Sequence, residues 1–447
     1  MKKLLIFLTI LLSSSIFAQN VLTLEEAVTT ALNRNVTLQK SKNTIASYKG
    51  SVKSAYGNFL PSLGTSGSFD WQRTSDDGGG LQIDFFGNEA IIEASTRDTR
   101  NYSVSAGGNW TLFNGLANFA NLSQSKKDLE VARYNLDRLK REIVYQTTEY
   151  YYNVLFSQEL LQVREENVAY NQKFLETVEE RNRLGSIAIA DVYTQQVASG
   201  RAELLLVQAE NALEQAKSVL LNYLAMDVLE DYEFVQPDEI EDAPEGEFFN
   251  EFKSIREMVD FALNNRLDFK GQKVNVDAAD DGITIARGNL FPSLSGNYSF
   301  FTSAVRSEDL FNRRIYNVGL TLQFPIFSNW NTYEQIQYAQ VNWKNAQEDL
   351  SALERQIKIE VKQGYLDLVA SKKQLDVSKN NVVAAEENRR VNNERYNLGS
   401  GTILDVLQSD RDYTQALSDR IDALYNYYIL KDRLKSFLGT LEYKTYE

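Results

Sequence analysis

The feature that most constrains this chain is that it is written twice, because a repeated sequence unit folds as a repeated structural unit. Asn58-Phe59-Leu60-Pro61-Ser62-Leu63 recurs as Asn289-Leu290-Phe291-Pro292-Ser293-Leu294, an offset of 231 that also aligns Ala31-Leu32-Asn33 with Ala262-Leu263-Asn264. A second offset, 214, pairs Phe113 with Phe327, Arg181 with Arg395, and Leu184-Gly185-Ser186 with Leu398-Gly399-Ser400. It continues through Asp191-Val192 and Asp405-Val406. The offsets differ by 17, so the first copy carries an insertion between residues 63 and 113. Ser75-Asp76-Asp77-Gly78-Gly79-Gly80 reads as a longer loop there.

Both copies have one layout. A short helix (about 23–32 and 254–263) leads into a medium one (about 36–57 and 267–288) and a Pro-Ser turn. Strands are predicted at about 62–73 and 101–113 in the first copy, and at about 293–304 and 315–327 in the second. Long helices at 116–183 and 330–397 reach Leu-Gly-Ser turns, and return helices occupy 190–225 and 404–438. The first structural repeat is thus 19–226 and the second 252–447. An acidic linker, 227–251, joins them with eleven acids and no Lys or Arg.

The N-terminus sets the compartment. Lys2 and Lys3 precede an apolar run from Leu4 to Leu12 broken only by Thr9, and Ile16-Phe17-Ala18 offers a cleavage point after Ala18. Residues 1–18 read as a secretory signal peptide, too short for a stable membrane span. No later stretch approaches the roughly 18 apolar residues of a transmembrane helix, so an exported chain of this kind is periplasmic, secreted or a β-barrel. There is no Cys and no His. Disulfides, a lipid-bearing N-terminal Cys, most zinc sites and all His-dependent nucleophile systems are therefore excluded. No catalytic, cofactor-binding or metal residue is expected. The net charge of −14, or −16 without Lys2 and Lys3, argues against a nucleic-acid partner.

The strands alternate with period two. Tyr102, Val104, Ala106, Gly108, Trp110 and Leu112 share one face, and Asn101, Ser103, Ser105, Gly107, Asn109 and Thr111 share the other. Tyr316, Val318, Leu320, Leu322, Phe324 and Ile326 likewise oppose Asn317, Gly319, Thr321 and Gln323. Roughly ten-residue alternating segments with aromatics near their ends suit a membrane barrel. A sheet buried on one face has the same period; the export signal and the lack of another core for these strands favour the membrane. Four strands cannot close a barrel, which takes about eight, so the chain is expected to oligomerise.

The helices add a second pattern. Leu122, Leu129, Leu136, Ile143 and Tyr150 recur every seven residues, and so do Leu161, Val168 and Leu175 after a step of eleven. Heptads supercoil to the left and an eleven-residue step relaxes the coil, so such a helix can pack side by side around a cylinder. A medium and a return helix together approach the length of one long helix, which suggests end-to-end stacking beside it.

With these features the sequence resembles the TolC family of outer-membrane efflux proteins over nearly the whole mature chain. The resemblance rests on the duplicated Asn-x-x-Pro-Ser-Leu segment and on Trp110-Thr111-Leu112-Phe113 and Phe324-Pro325-Ile326-Phe327 ahead of the long helices. It also rests on the paired tips, Arg181 to Val192 and Arg395 to Val406. It implies a mixed α and β fold: a homotrimer whose transmembrane β-barrel takes four strands per chain, about 12 in all, and continues into a long periplasmic α-helical barrel. It further implies an outer-membrane channel of a tripartite efflux or type I secretion system and no enzyme. The implied partners are a periplasmic adaptor (membrane fusion) protein, an inner-membrane pump and outer-membrane lipid.

Carried over residue by residue, the resemblance puts Asp191 and Tyr396 where a polar link joins neighbouring tips, and Asp405 where a carboxylate ring lines a periplasmic gate. Gln408 stands where some members carry a second acid, and Gly401 where some carry a basic residue. Leu184, Gly185 and Ser186, with Leu398, Gly399 and Ser400, make the tip turns and candidate adaptor contacts. Trp110, Leu322 and Phe324 are expected to face lipid. Asp191 and Asp405 have a second reading, since each opens a helix, where an acid caps free amides and suits the dipole. Gly185 and Gly399 are expected to end helices in left-handed geometry. A trimeric coiled-coil structural or adhesive stalk with a barrel anchor is the alternative from another class; it needs neither matched tips nor relaxing heptads. A carboxylate hydrolase would need two acids converging about 5–9.5 Å apart, whereas the acids here are spread along amphipathic helices.

Overall fold

The structure, a computed structural model, describes residues 20–79, 81–83, 85–87, 89–91, 94–237, 240 and 254–446. The expected signal peptide, Gly80 and the later part of the acidic linker lie outside them. In chain order, β1 (Asn20–Leu22), α1 (Leu24–Arg34) and α2 (Val36–Gly57) lead to β2 (Gly64–Asp76). Two short strands, β3 (Leu81–Ile83) and β4 (Glu89–Ile91), precede β5 (Ser95–Asn114), α3 (Ala117–Arg183) and α4 (Ile189–Tyr223). After β6 (Tyr232–Phe234) come α5 (Ile255–Asn265), α6 (Leu267–Gly288), β7 (Ser293–Ala304) and β8 (Ile315–Gln323). Then come α7 (Asn331–Asn397) and α8 (Ile403–Leu438), followed by a short 3-10 helix (Lys444–Tyr446). The fold is mixed and mostly helical.

Local chemistry sets several boundaries. Thr23 opens α1 with a capping box: its hydroxyl accepts from the Glu26 amide at 3.2 Å, and the Glu26 carboxylate accepts from the Thr23 amide at 3.1 Å. Ser254 caps α5 through the Glu257 amide at 3.2 Å. β8 stops at Gln323, short of the expected 327, because Pro325 has no N–H to continue a ladder. The insertion is more than a loop. β2 and β5 pair over 13 residues, and the antiparallel hairpin β3–β4 forms inside the segment between them.

The chain divides into two compact units. One comprises Asn43–Tyr134 and Gly271–Ala352 and holds the four-stranded sheet, ordered β2-β5-β7-β8 with every neighbouring pair antiparallel. The Lys127 ammonium meets Asp281 at 2.7 Å within this unit, tying α3 to α6.

The other unit comprises the residues up to Lys42, Asn135–Lys270 and Leu353–Glu447. Its core is a seam of helix faces. Ala27, Val28, Ala31 and Leu32 make the buried stripe of α1, and Ile357, Val361, Leu368 and Leu375 that of α7. Each fully buried Leu or Ile contributes about 1.5–3 kcal/mol relative to exposure. β1 and β6 pair in parallel, and the buried Tyr151 hydroxyl lies 2.8 Å from the Leu22 and Val235 carbonyl oxygens. Arg266 is held by a fork to Asp268, at 3.1 and 2.6 Å, and by Glu360 at 2.5 Å. No helix among the described residues is long and apolar enough to cross a membrane.

Candidate functional site

Two places concentrate features that a helical core does not require, one in each unit. The first is the sheet. Its register puts Phe69 opposite Tyr102, Phe300 opposite Tyr316, Tyr298 opposite Val318, and Leu294 opposite Leu322. The Phe69 and Tyr102 rings lie 4.7 Å apart and those of Phe300 and Tyr316 5.2 Å. These residues make one apolar face. The other face is polar: Ser66 and Ser105 hydroxyls meet at 2.7 Å, Ser68 and Ser103 at 2.9 Å, and the Asn317 amide donates to Ser299 at 3.3 Å. The apolar face is bare, with Val318 88% and Leu322 69% exposed. Among the described residues the edge strands β2 and β8 each lack a neighbour on one side.

The structure treats the three expected lipid-facing residues differently. Leu322 is on the apolar face of β8. Trp110 pairs with Gly296 on the same face, and its indole N–H donates to the Phe59 carbonyl at 2.9 Å. Phe324 is exposed but lies one residue beyond β8, outside the strand. A β-bulge between Thr111 and Phe113 leaves Leu112 out of the alternation and sets Phe113 opposite Leu294.

The second place is the pair of helical turns. α3 ends where the Ser186 amide donates to the Arg181 carbonyl at 2.9 Å, and α7 ends where the Ser400 amide donates to the Arg395 carbonyl at 2.9 Å. Gly185 and Gly399 both have φ +74, the left-handed position these closures require. Leu184 and Leu398 stand exposed beside them. Behind the turns, Val178, Val192, Tyr396, Ile403 and Val406 form a buried cluster flanked by Phe174, Ile187 and Leu407.

Tyr396 is 7% exposed, and its hydroxyl is buried with no hydrogen-bond partner among the described residues. Phe174 meets its ring edge-on at 5.6 Å and the Arg181 guanidinium sits 5.2 Å from its centroid. Burial, then the nearby Asp191 charge, pushes the phenol above its usual range. Tyr396 and Asp191 line one cleft of about 710 Å³ with Arg181, Ile187, Thr402 and Leu404. The two tips are joined within the chain by Arg181, which donates to the Asn397 side chain at 2.7 Å. Sequence reasoning matched Arg181 to Arg395 but missed this link.

Asp405 sits in a capping box with Thr402, whose hydrogen bonds, backbone amide first, hold its carboxyl below the usual range. Its counterpart Asp191 opens α4 behind Ala188, which makes no side-chain cap. Gln408 is exposed and donates to Asp412 at 2.6 Å. Among the described residues no group of acids is arranged to hold a metal ion.

A sheet with a bare apolar face and, among the described residues, two open edges, on a chain whose long helices reverse at matched turns, is the arrangement expected of an outer-membrane channel protein. The sequence model of the outer membrane efflux protein family matches residues 27–225 and 258–440, and the chain belongs to that family. It is similar to the outer membrane protein TolC of Escherichia coli K12, 24% identical over 406 residues, covering 87% of this chain and 76% of that protein. The pyoverdine export outer membrane protein OpmQ of Pseudomonas aeruginosa is 22% identical over 293 residues, covering 64% and 58%. Among solved structures, CusC shares the fold at TM-score 0.78 and 18% identity, covering 93% of this chain and 92% of that one. VceC from Vibrio cholerae does so at TM-score 0.75 and 15% identity, covering 93% and 96%. This chain is accordingly a TolC-family outer-membrane efflux channel protein with a large periplasmic helical part. Its relatives are channels, not enzymes.

Proposed function

We propose that three copies of this chain form the outer-membrane duct of a tripartite export system, efflux or type I secretion, passing substrate from an inner-membrane pump to the exterior. The observation that carries this reading is the open-edged sheet. An open edge in lipid leaves backbone groups unsatisfied. Four antiparallel strands alternate in direction, so β8 of one copy can meet β2 of the next antiparallel, and three copies close a barrel of about 12 strands. The bare apolar face, including Trp110 and Leu322, would then meet lipid and the serine-rich face the lumen. Phe324 would meet lipid from just beyond the end of β8.

Internal duplication is part of the same reading. It is supported by the family match over two segments and by paired element lengths of 11 and 11, 22 and 22, 67 and 67, and 35 and 36 residues. The tips act as the periplasmic gate, with Asp191 and Tyr396 at a polar link and Asp405 and Gln408 near the constriction. Leu184, Gly185 and Ser186, and Leu398, Gly399 and Ser400, offer the surface on which a periplasmic adaptor docks. Detergent-purified protein should scatter light as a trimer and give discrete conductance steps in planar bilayers. A well-folded monomer without conductance would overturn the proposal.

A further inference from the structure

Behind the tip cluster lies a polar core that the family resemblance did not anticipate. Asp410 on α8 is 4% exposed. The side-chain amides of Asn167 and Asn171 on α3 both donate to its Oδ2 at 3.1 Å. Arg389 on α7 places Nε 3.1 Å from its Oδ1, an ion pair without a hydrogen bond. The Arg389 guanidinium is clamped between two rings, 3.8 Å from the Tyr170 centroid on α3 and 4.8 Å from Tyr413 on α8. Gln195 on α4, 0% exposed, donates to the Asn171 carbonyl at 3.0 Å. The carboxylate thus joins three helices directly, α8, α3 and α7, and Asn171 carries the network on to α4 through Gln195.

A buried charge is costly unless paired, and removing one partner leaves the others desolvated and unsatisfied. Apolar residues would pack this layer at less cost, and the other copy shows the apolar choice: Leu175 stands at the position equivalent to Arg389. Leu375 and Val382 lead up to Arg389 in heptad step, so the arginine interrupts an apolar seam. Such a layer favours one alignment of the hairpins and resists sliding, because a shifted register leaves the carboxylate without partners.

We infer that Asp410 is a positioning residue, a clasp that joins the α7–α8 hairpin to the α3–α4 hairpin behind the tips and thereby holds the channel closed. The inference rests on the reading of the tips as the gate. Opening would part Asp410 from Asn167 and Asn171 while the Tyr396 cluster in front of it loosens.

The test uses the full-length protein in lipid, with two readouts. Hydrogen exchange over residues 164–174 and 385–395 reports the clasp, and open probability in planar bilayers reports the gate. Asp410→Ala should lower protection in both segments about ten- to hundredfold, leave α1 unchanged, and raise open probability. Asp410→Asn retains an acceptor for both asparagines, folds if the alanine variant does not, and should loosen Arg389's segment more than the 164–174 segment. Exchange unchanged in both variants overturns the clasp. Loosened exchange with unaltered open probability overturns its role in closure and counts against the tips as the gate. A wild-type protein that never conducts sinks the channel proposal instead.

Discussion

Thr402 and Asp405 cap the start of α8 reciprocally: the Asp405 carboxylate accepts from the Thr402 amide at 3.0 Å, and the Thr402 hydroxyl accepts from the Asp405 amide at 3.2 Å. The equivalent start of α4 has Ala188 in place of the threonine and no side-chain cap. Thr402→Ala should therefore cost about 1 kcal/mol, and Ala188→Thr should gain a similar amount. Urea unfolding of the two variants, followed by helical circular dichroism, measures both. Equal effects of Thr→Ala at 402 and at an uncapped surface site would show that the box contributes nothing.

Asp405 is where capping and gating diverge. Asparagine keeps a hydrogen-bond acceptor for the Thr402 amide but removes the charge. If three carboxylates ring the constriction, Asp405→Asn should reduce cation preference and weaken block by divalent cations from the periplasmic side. Block should be modest in the wild type and fade in salt, because Gln408 supplies no second carboxylate. Unchanged selectivity in the variant would leave Asp405 a helix cap alone.

Leu322 and Thr321 are neighbours on opposite faces of β8. Arg at Leu322 should destabilise the assembled barrel by about 2–4 kcal/mol if the residue lies near the bilayer midplane, while Arg at Thr321 should be tolerated and alter conductance. Thermal dissociation of the oligomer in detergent and single-channel recording check the pair. The same loss at both positions would contradict the two-faced sheet.

Acid should weaken the Arg266 cluster. Burial alone would raise the Asp268 carboxyl, but the hydrogen bonds and charge of Arg266 outweigh it and hold the group below its ordinary range. A carboxyl depressed in the fold adds stability that is complete above its ordinary value and lost as pH falls through the depressed one. Arg266→Gln, which leaves Asp268 and Glu360 without their cation, should cost about 3–5 kcal/mol at about pH 7 and much less near pH 3. Urea midpoints of variant and wild type at the two pH values give the difference; a gap that stays constant with pH would refute the assignment.

The Asp410 cluster should respond with the opposite sign. Burial outweighs the charge of Arg389 and the amides of Asn171 and Asn167, and lifts the Asp410 carboxyl above its usual range. Tyr170 from α3 and Tyr413 from α8 also face Arg389, and Arg164, Arg201 and Arg411 border the adjoining cavity of about 430 Å³. A group raised in the packed state adds stability below its ordinary value, and that stability is lost as pH climbs through the raised one. Mild acidification should tighten residues 164–174 against exchange once intrinsic rates are corrected, and Asp410→Asn should remove the dependence. Loosening on acidification would show that the Arg389 pair dominates instead.

What the sequence by itself determined is local or repeated. Period-two alternation along Tyr102 to Trp110 and along Tyr316 to Leu322 marks two faces because successive side chains on a strand point apart. Leu-Gly-Ser marks the reversals because only glycine takes φ +74 without strain, and the two ungapped offsets support reading the chain as a duplication. The tertiary structure decided what depends on distant partners. The bulge that drops Leu112 from the alternation is set by pairing with β7, nearly two hundred residues later. Arg181 finds Asn397, and Asp410 finds Asn167 and Asn171, across 216, 243 and 239 positions. Arg389 did leave a trace, as a cation in an apolar heptad step. Its counter-charge, however, is chosen by packing: only the folded helices bring Asp410 close enough, and dry enough, for the pair to matter.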